Sequence, residues 1–462
     1  VRSSQRTSQG GARRASSRRR DDELSRLWLV AGFAIIAPGV SLAQAPGRVN
    51  RLDAIEVVVS SPLDAPDTGV ERMKYPGGVT TVSAAELADT RQGDLAQALE
   101  RRAPGVAIID TTGNPFQPEV DYRGFTASPV VGAPQGLAVY QNGVRVNEAW
   151  GDGVNWDLIP LVAIDRTTIL GANPVFGLNA LGGAVVLDMK NGFTWQGFEI
   201  DARLGGQMRR QGSVQYGVKS GDWAGYFALE GVRDNGARHF SGATVRRFYG
   251  DIGYRGDKAE IHATLGLAAN KFGASGPAPM ELVDADKRAV YTTPQTSQNQ
   301  LAQFALNGSF DISPTWKAKA NVYYRFFDQK RVDGNTTDFA SCGAATLCDG
   351  AGAATSMPDI LPGAPYGVID RTWTRSRTLG ASAQATNTDR LLGHGNRLTF
   401  GVSVDRGWTH FRAEEELGII QTDYRVTGIG IPVIEPMSGV EPVSLKAANT
   451  YYGAYIQDAF DI

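Results

Sequence analysis

The 462-residue chain carries 46 Lys and Arg against 48 Asp and Glu, a formal charge of -2, with 55 Gly, 4 His and 2 Cys. That balance excludes a nucleic-acid binder acting through bulk basicity, because neutralising phosphates needs a cation surplus. Two cysteines exclude a thiolate-rich metal centre, and the abundance of glycine favours strands and turns over a helical bundle.

Residues 1–26 hold eight arginines and three acids, and Leu27–Pro38 is then an uncharged, largely apolar run of twelve. Ser41-Leu42-Ala43-Gln44-Ala45 follows, with small residues one and three positions before a cut. A basic start, a short apolar centre and such a site predict a secretory signal peptide over 1–45. The apolar run is too short for the ~20 residues of a membrane-spanning helix. Without this leader the chain has a net charge of -7. No later run reaches ~18 apolar residues, which leaves a soluble exported protein or a protein that crosses a membrane with strands.

Arg51–Pro62 (RLDAIEVVVSSP) places the β-branched Ile55, Val57, Val58 and Val59 before a proline that stops extension. It predicts an edge strand awaiting a partner, able to take one by strand addition. Ser83-Ala84-Ala85-Glu86 is a capping box, and Asp94-Leu95-Ala96-Gln97 opens a second helix that Pro104-Gly105 ends. Leu137–Val146 (LAVYQNGVRV) surrounds Asn142-Gly143, a hairpin signal because both central residues need φ > 0. These features predict a small α/β domain. The composition shifts near Gly192.

From there the chain alternates. In Gln303–Ile312, Phe304, Leu306, Phe310 and Ile312 share one face; in Lys317–Phe326, Ala318, Ala320, Val322, Tyr324 and Phe326 oppose Lys317, Lys319, Asn321, Tyr323 and Arg325. Phe248–Leu267 does the same around a turn at 256–258. Each strand has one apolar and one polar wall. Short turns alternating with long loops (271–299, 328–372 and 413–447) are the habit of an outer-membrane barrel, with a large soluble β-sandwich as the alternative. Trp223, Tyr291, Trp316, Tyr323 and Tyr451 are candidates for interfacial aromatic girdles. About ten strand-like runs follow Gly192, and the last, Thr450–Ile462, stops in mid-pattern, so the chain is expected to be a fragment of a longer barrel.

Chemical constellations are sparse. Cys342 and Cys348 lie close together in a long loop of an exported chain and predict a disulfide. His239, His262, His394 and His410 are scattered, so no metal site is expected. Glu414-Glu415-Glu416 reads as a solvated loop face, and Arg101-Arg102 and Arg209-Arg210 as surface or interdomain ion-pairing residues. No phosphate-cradling G-x-x-x-x-G-K-[ST] and no nucleophile–base pair is present, so neither a catalytic residue nor a cofactor is expected.

Six segments in order resemble the TonB-dependent outer-membrane receptors. Ile55-Glu56-Val57-Val58-Val59-Ser60-Ser61-Pro62 resembles the TonB box, and Asp94–Val106 resembles the plug helix with its PGV ending. Arg123-Gly124-Phe125 (after Tyr122) matches the RGF element. Val139–Val146 matches the plug hairpin, with Asn142 where Asp is commoner, ahead of Gly143. Ile159-Pro160 and Ala163–Arg166 resemble the next segment. Phe176–Gly183, with Gly177, Gly182 and Gly183, matches the glycine run that closes the plug. The preceding Arg-Gly is only partly present, as Leu170-Gly171, and Gly153–Pro160 (GVNWDLIP) has no assigned role.

The resemblance implies a mainly β protein: a small α/β plug domain followed by an incomplete transmembrane antiparallel β-barrel, the family's barrel having about 22 strands. It implies a signal peptide at 1–45, a periplasmic segment with the TonB box at 46–66, a plug at 67–192 and partial barrel at 193–462. It also implies active uptake of a scarce solute across the cell outer membrane of a Gram-negative bacterium, by default a ferric siderophore. The implied partners are the inner-membrane TonB complex, outer-membrane lipid and lipopolysaccharide, and a small solute such as a metal chelate, with no nucleic acid. The alternative is a structural or adhesive outer-membrane β-protein without transport.

Overall fold

The computed structural model describes residues 57–63, 69–75, 77–90, 93–274, 276–343, 345–434 and 442–461. The leader over 1–45, and Ile55 and Glu56, lie outside the described residues.

The polypeptide opens with strands β1 (Val57–Val58) and β2 (Val70–Glu71), which pair antiparallel. The strand expected to be without a partner is therefore already paired. β3 (Val79–Ser83) runs into helix α1 (Ala84–Asp89) through the capping box: Ser83 N–H donates to Glu86 Oε2 at 2.8 Å, and Glu86 N–H returns to Ser83 Oγ at 3.3 Å. Asp94 caps α2 (Leu95–Arg102) by accepting from Gln97 N–H at 3.0 Å. This helix buries Leu95, Ala96, Ala98 and Leu99 and stops before Pro104. β4 (Val106–Ile109), β5 (Glu119–Tyr122) and β6 (Phe125–Ala127) form a small antiparallel sheet. β7 (Leu137–Gln141), β8 (Val144–Arg145), β9 (Ile164–Gly171) and β10 (Gly183–Met189) join β3 in a sheet of order β3-β9-β10-β7-β8, in which only β10 and β7 run parallel.

The rest is one antiparallel wall. Its strands are β11 (Gly197–Leu204), β12 (Arg210–Ser220), β13 (Trp223–Asp234), β14 (Ala243–Arg255), β15 (Ala259–Gly273), β16 (Gln295–Asp311) and β17 (Trp316–Thr336). A loop sheet of β18 (Ala340–Ser341), β19 (Thr346–Cys348) and β20 (Ala354–Pro358) intervenes. Then come β21 (Tyr366–Asn387), β22 (Asn396–Ile420), β23 (Val426–Pro432) and β24 (Val443–Phe460). β22 forks: its lower part pairs β24 and its upper part pairs β23.

The wall is inside-out. Val322 and Tyr324 are 43% exposed while their neighbours Asn321, Tyr323 and Arg325 are 5% exposed. Phe304, Leu306, Phe310 and Ile312 are likewise exposed, and Gln303 and Asn299 buried. A soluble sandwich buries its apolar face; here that face points outward, and the polar face packs on the small domain. No helix among the described residues is long and apolar enough to cross a membrane.

Three expected loops are shorter than the sequence suggested. β16 begins at Gln295, β17 and β21 reach Thr336 and Tyr366, and β22 and β24 reach Ile420 and Val443. Above the apolar stretch the outward face turns polar, so the alternation disappears while the hydrogen-bonded ladder continues. Glu414-Glu415-Glu416 is accordingly strand, not loop: Glu415 is buried, and Glu416 meets Arg371 at 2.6 Å. The aromatic expectation divides in the same way. Trp223 and Trp316 stand at the lower strand ends, Trp223 against Tyr254 at 5.2 Å. Tyr323 points inward to Asp405, Tyr291 packs on Tyr424 in a loop, and Tyr451 accepts from Asn449.

Candidate functional site: the seam between the small domain and the wall

At the short-turn end of the wall, β1 leads into a buried Val59-Ser60-Ser61. Ser61 Oγ donates to Gln384 Oε1 of β21 at 2.5 Å, and Tyr455 of β24 donates to the same oxygen at 2.6 Å. The chain then crosses the β7–β8 hairpin. Asn142 and Gly143 adopt φ +47° and +78°. A side chain at Gly143 would meet Leu63 at 2.8 Å, Asn321 at 3.0 Å and the Pro62 carbonyl at 3.3 Å. Asn142 fastens the hairpin outward, its Nδ2 donating to Tyr249 at 3.0 Å, and inward, its Oδ1 accepting from Met189 N–H at 2.8 Å. Arg397 donates to the Gly69 carbonyl at 2.5 Å, and Lys74 meets Asp461 at 3.1 Å. The N-terminal segment is thus seated at the end of the wall where the turns are short.

Midway up, the GVNWDLIP segment, which sequence reading left without a role, is the main anchor. Trp156 is fully buried and donates to the Ala127 carbonyl at 3.1 Å. Its neighbour Asp157 reaches the wall: its carboxylate accepts from Asn270 of β15 at 2.8 Å and from Asn299 of β16 at 3.1 Å. The Asp157 carbonyl accepts from Arg247 of β14 at 2.6 Å, and Arg247 also meets Glu230 of β13 at 3.3 Å. Burial pushes the Asp157 carboxyl above its ordinary range, and the two amides pull it back. Glu148 makes a second anchor with Arg325 of β17 at 2.6 Å, both side chains 6% exposed. Its carboxyl too is raised by burial against the pull of that guanidinium. The signal that links these residues is spatial, since Asp157 and Asn299 are 142 positions apart.

Arg123-Gly124-Phe125 and the glycine run are parts of one packing device. The Phe125 ring occupies the space that a side chain on Gly182 would need, and a Cβ at Gly136 would meet it at 2.8 Å. Gly183 sits at φ +154° where β10 passes so close to β9 that a Cβ would overlap the Leu170 carbonyl. Gly177, at φ +71°, ends the preceding turn. These residues shape the small domain itself; Arg123 lies over the Tyr122 ring at 5.0 Å.

At the long-loop end, Asn114 donates to the Gly273 carbonyl at 2.6 Å, and Phe116 stacks on Phe272 at 6.2 Å, with Arg209 over Phe116 at 5.2 Å. Trp150 stacks on Phe411 of β22 at 5.4 Å. The small domain therefore touches the wall from its lower turns to its upper rim. In the loop above, Cys342 and Cys348 form a disulfide. Among the described residues no three His, Cys, Asp or Glu side chains converge as metal ligands.

Residues 71–184 match the TonB-dependent Receptor Plug Domain. Curated protein sequences give no match. The fold is similar to that of the ferric citrate transporter FecA in its unliganded form (13% identity, TM-score 0.66), with 88% of this chain and 57% of that one covered. It is also similar to FpvA of P. aeruginosa bound to pyoverdine (12%, 0.62; 84% and 50% covered). A third similar structure is the ferric preacinetobactin receptor BauA of Acinetobacter baumannii (12%, 0.57; 88% and 58% covered). The chain thus spans between 50% and 58% of these proteins' length. Residues 71–184 are a TonB-dependent receptor plug domain, and the described chain as a whole has the fold of the TonB-dependent receptors.

Proposed function

We propose that the protein is an energy-coupled uptake receptor of the bacterial outer membrane, taking up a scarce solute whose default class is a ferric siderophore or similar metal chelate. The organisation proposed is a signal peptide at 1–45, a periplasmic segment at 46–66, a plug at 67–192 and membrane-spanning wall at 193–462. The observation that carries the reading is the seating of residues 58–63 at the short-turn end of an inside-out wall, which in a barrel of this kind faces the periplasm.

In this reading Ile55–Pro62 is the segment that the TonB complex takes hold of. Its strand is already engaged with β2, and Ser61 is held by Gln384. Coupling is therefore an exchange of partners, in which the ladder bonds of β1 pass from β2 to an added strand. A pull on Pro62-Leu63 then acts directly on the Asn142-Gly143 hairpin beneath them, and through β7 on the sheet of the plug. The outer membrane has no ATP, so a contact of this kind supplies the work of transport.

Val58→Pro removes a ladder donor and should abolish uptake of a labelled ferric chelate while leaving its binding to cells intact. Loss of binding as well would make the segment purely structural. A cysteine at Ile55 should crosslink to the C-terminal domain of TonB, whereas an adhesive β-protein would give no adduct.

A further inference from the structure

Most connections at the lower end of the wall are short and carry polar residues at their tips. Residues 221–222 join β12 to β13, 256–258 join β14 to β15 and 312–315 join β16 to β17, with Asp222, Asp257 and Ser313 among them. The link from β21 to β22, residues 388–395, is longer and ends in leucines. Leu391 and His394 exchange backbone hydrogen bonds at 3.1 and 2.9 Å around Leu392-Gly393, whose φ values are +52° and +84°. Two positive φ angles in succession suit asparagine or glycine and strain a bulky apolar residue. The chain keeps to that rule at Asn142-Gly143 and departs from it here. Leu392 is 86% exposed and Leu391 half-exposed, so no burial within the chain offsets the strain.

A second exposed apolar side chain stands on the same platform. Met73, 94% exposed, is the middle residue of the single turn Arg72–Lys74 that follows β2. Lys74 meets Asp461 at 3.1 Å, the Asp461 N–H donates to the Gly395 carbonyl at 2.9 Å, and Arg397 donates to the Gly69 carbonyl at 2.5 Å. These contacts clamp the turn after β2 to the foot of the leucine turn. The patch therefore runs from the N-terminal segment to the tip of a wall connection. A lipid contact is disfavoured there, because Met73 belongs to the segment seated on the wall's polar face, and Asp389, Arg390 and His394 flank the leucines. The occupant follows from what lies beside the patch. Among the described residues β1 has only β2 next to it, and β2 runs directly into the Met73 turn. A strand delivered to β1 arrives with its parent domain over Met73, Leu391 and Leu392.

We propose that Met73, Leu391 and Leu392 form a docking platform on which the C-terminal domain of TonB sets an apolar patch before its strand takes the place of β2. The proposal rests on the coupling reading above and adds a foothold on the wall to the grip on Ile55–Pro62. Leu392 keeps its place on the wall while the chain carrying Met73 is drawn away, so the platform serves the start of the pull, when the incoming strand must be held near β1.

Leu392→Asn is the informative variant, since asparagine suits a positive φ and the turn keeps its fold. The full chain, placed in nanodiscs, is titrated with the purified C-terminal domain of TonB, and the affinity is read by biolayer interferometry. Leu392→Asn should weaken binding about tenfold, as should Met73→Gln, and equally at low and high salt, because an apolar contact is not screened. In the variant with a cysteine at Ile55, adding Leu392→Asn should raise the concentration of TonB domain needed for the adduct and leave its final yield unchanged. Unchanged affinity of Leu392→Asn, with the adduct still forming at Ile55, would overturn the platform and leave the coupling reading standing. A chain with the platform intact that neither binds the domain nor forms the adduct would overturn both. A spin label on Leu392→Cys reports the other occupant. Collisions with dissolved oxygen that exceed those with an aqueous nickel complex would assign the turn to the lipid surface and sink the proposal, whereas loss of nickel access on adding the TonB domain supports it.

Discussion

Asp94 holds the first turn of α2 from a fully buried position, with one carboxyl oxygen accepting from Gln97 and the other without a partner. Burial pushes its pKa up to about 6, against the pull of the Gln97 N–H and, more weakly, Arg247 and Arg209. The unfolded chain gives up this proton first, so the group's contribution to stability falls as pH rises from about 4 to about 6 and is level above that. Asp94→Asn keeps the capping acceptor and removes the buried charge. It should stabilise the plug at pH 7.5 by up to about 3 kcal/mol and give no gain near pH 4, read by amide hydrogen exchange of α2. The two adjacent glycines differ in the same local way. Gly182→Ala meets the movable ring of Phe125, and Phe125→Ala should rescue it. Gly183→Ala meets fixed backbone at a positive φ and should cost more than about 2 kcal/mol with no such rescue, measured as the urea midpoint of plug unfolding.

Among the elements, the GVNWDLIP turn carries the plug. Asp157→Ala leaves the Asn299 amide buried without an acceptor and strips Asn270 of one of its two, the Asp157 carbonyl remaining, a loss of about 2–3 kcal/mol. Limited proteolysis should then release plug fragments while the wall keeps its heat-modifiable mobility. Arg325→Gln, which strands the buried charge of Glu148, should loosen the neighbouring contact by about 3–5 kcal/mol. How far these elements could be read in the sequence follows from the range of the forces that make them. The capping box at Ser83, the cap at Asp94 and the Asn142-Gly143 turn are set by neighbours within a few residues, and all were legible. The strands from Gln303 to Phe326 were legible because lipid-type alternation repeats every second residue. The upper parts of β17, β21 and β22 were not, because their outward faces turn polar, and the apolar groups that β21 and β22 do carry there, Tyr366, Val368 and Leu417, pack against the distant Phe339, Leu347 and Met357. Nothing in Asp157's own surroundings announces Asn270 or Asn299, so the anchor was invisible until the wall had closed around it. The TonB-box-like strand was recognisable from its β-branched run, but its pairing with Val70-Glu71 was not, because β2 is only two residues long.

At the scale of the whole molecule, the wall is markedly uneven: β12 spans 11 residues and β22 spans 25. At the tilt and rise usual for such strands, the difference lifts the rim by roughly 30–35 Å from one flank of this arc to the other. In the proposed orientation that slope makes a parapet over one side of the entrance, stiffened by the small cross-linked sheet at its crest. In that reading a bulky visitor such as an antibody or a phage tip is fended off there, while a small traveller can slip in over the low sill, where the stopper is fastened to the wall by the buried stack of Phe116 on Phe272.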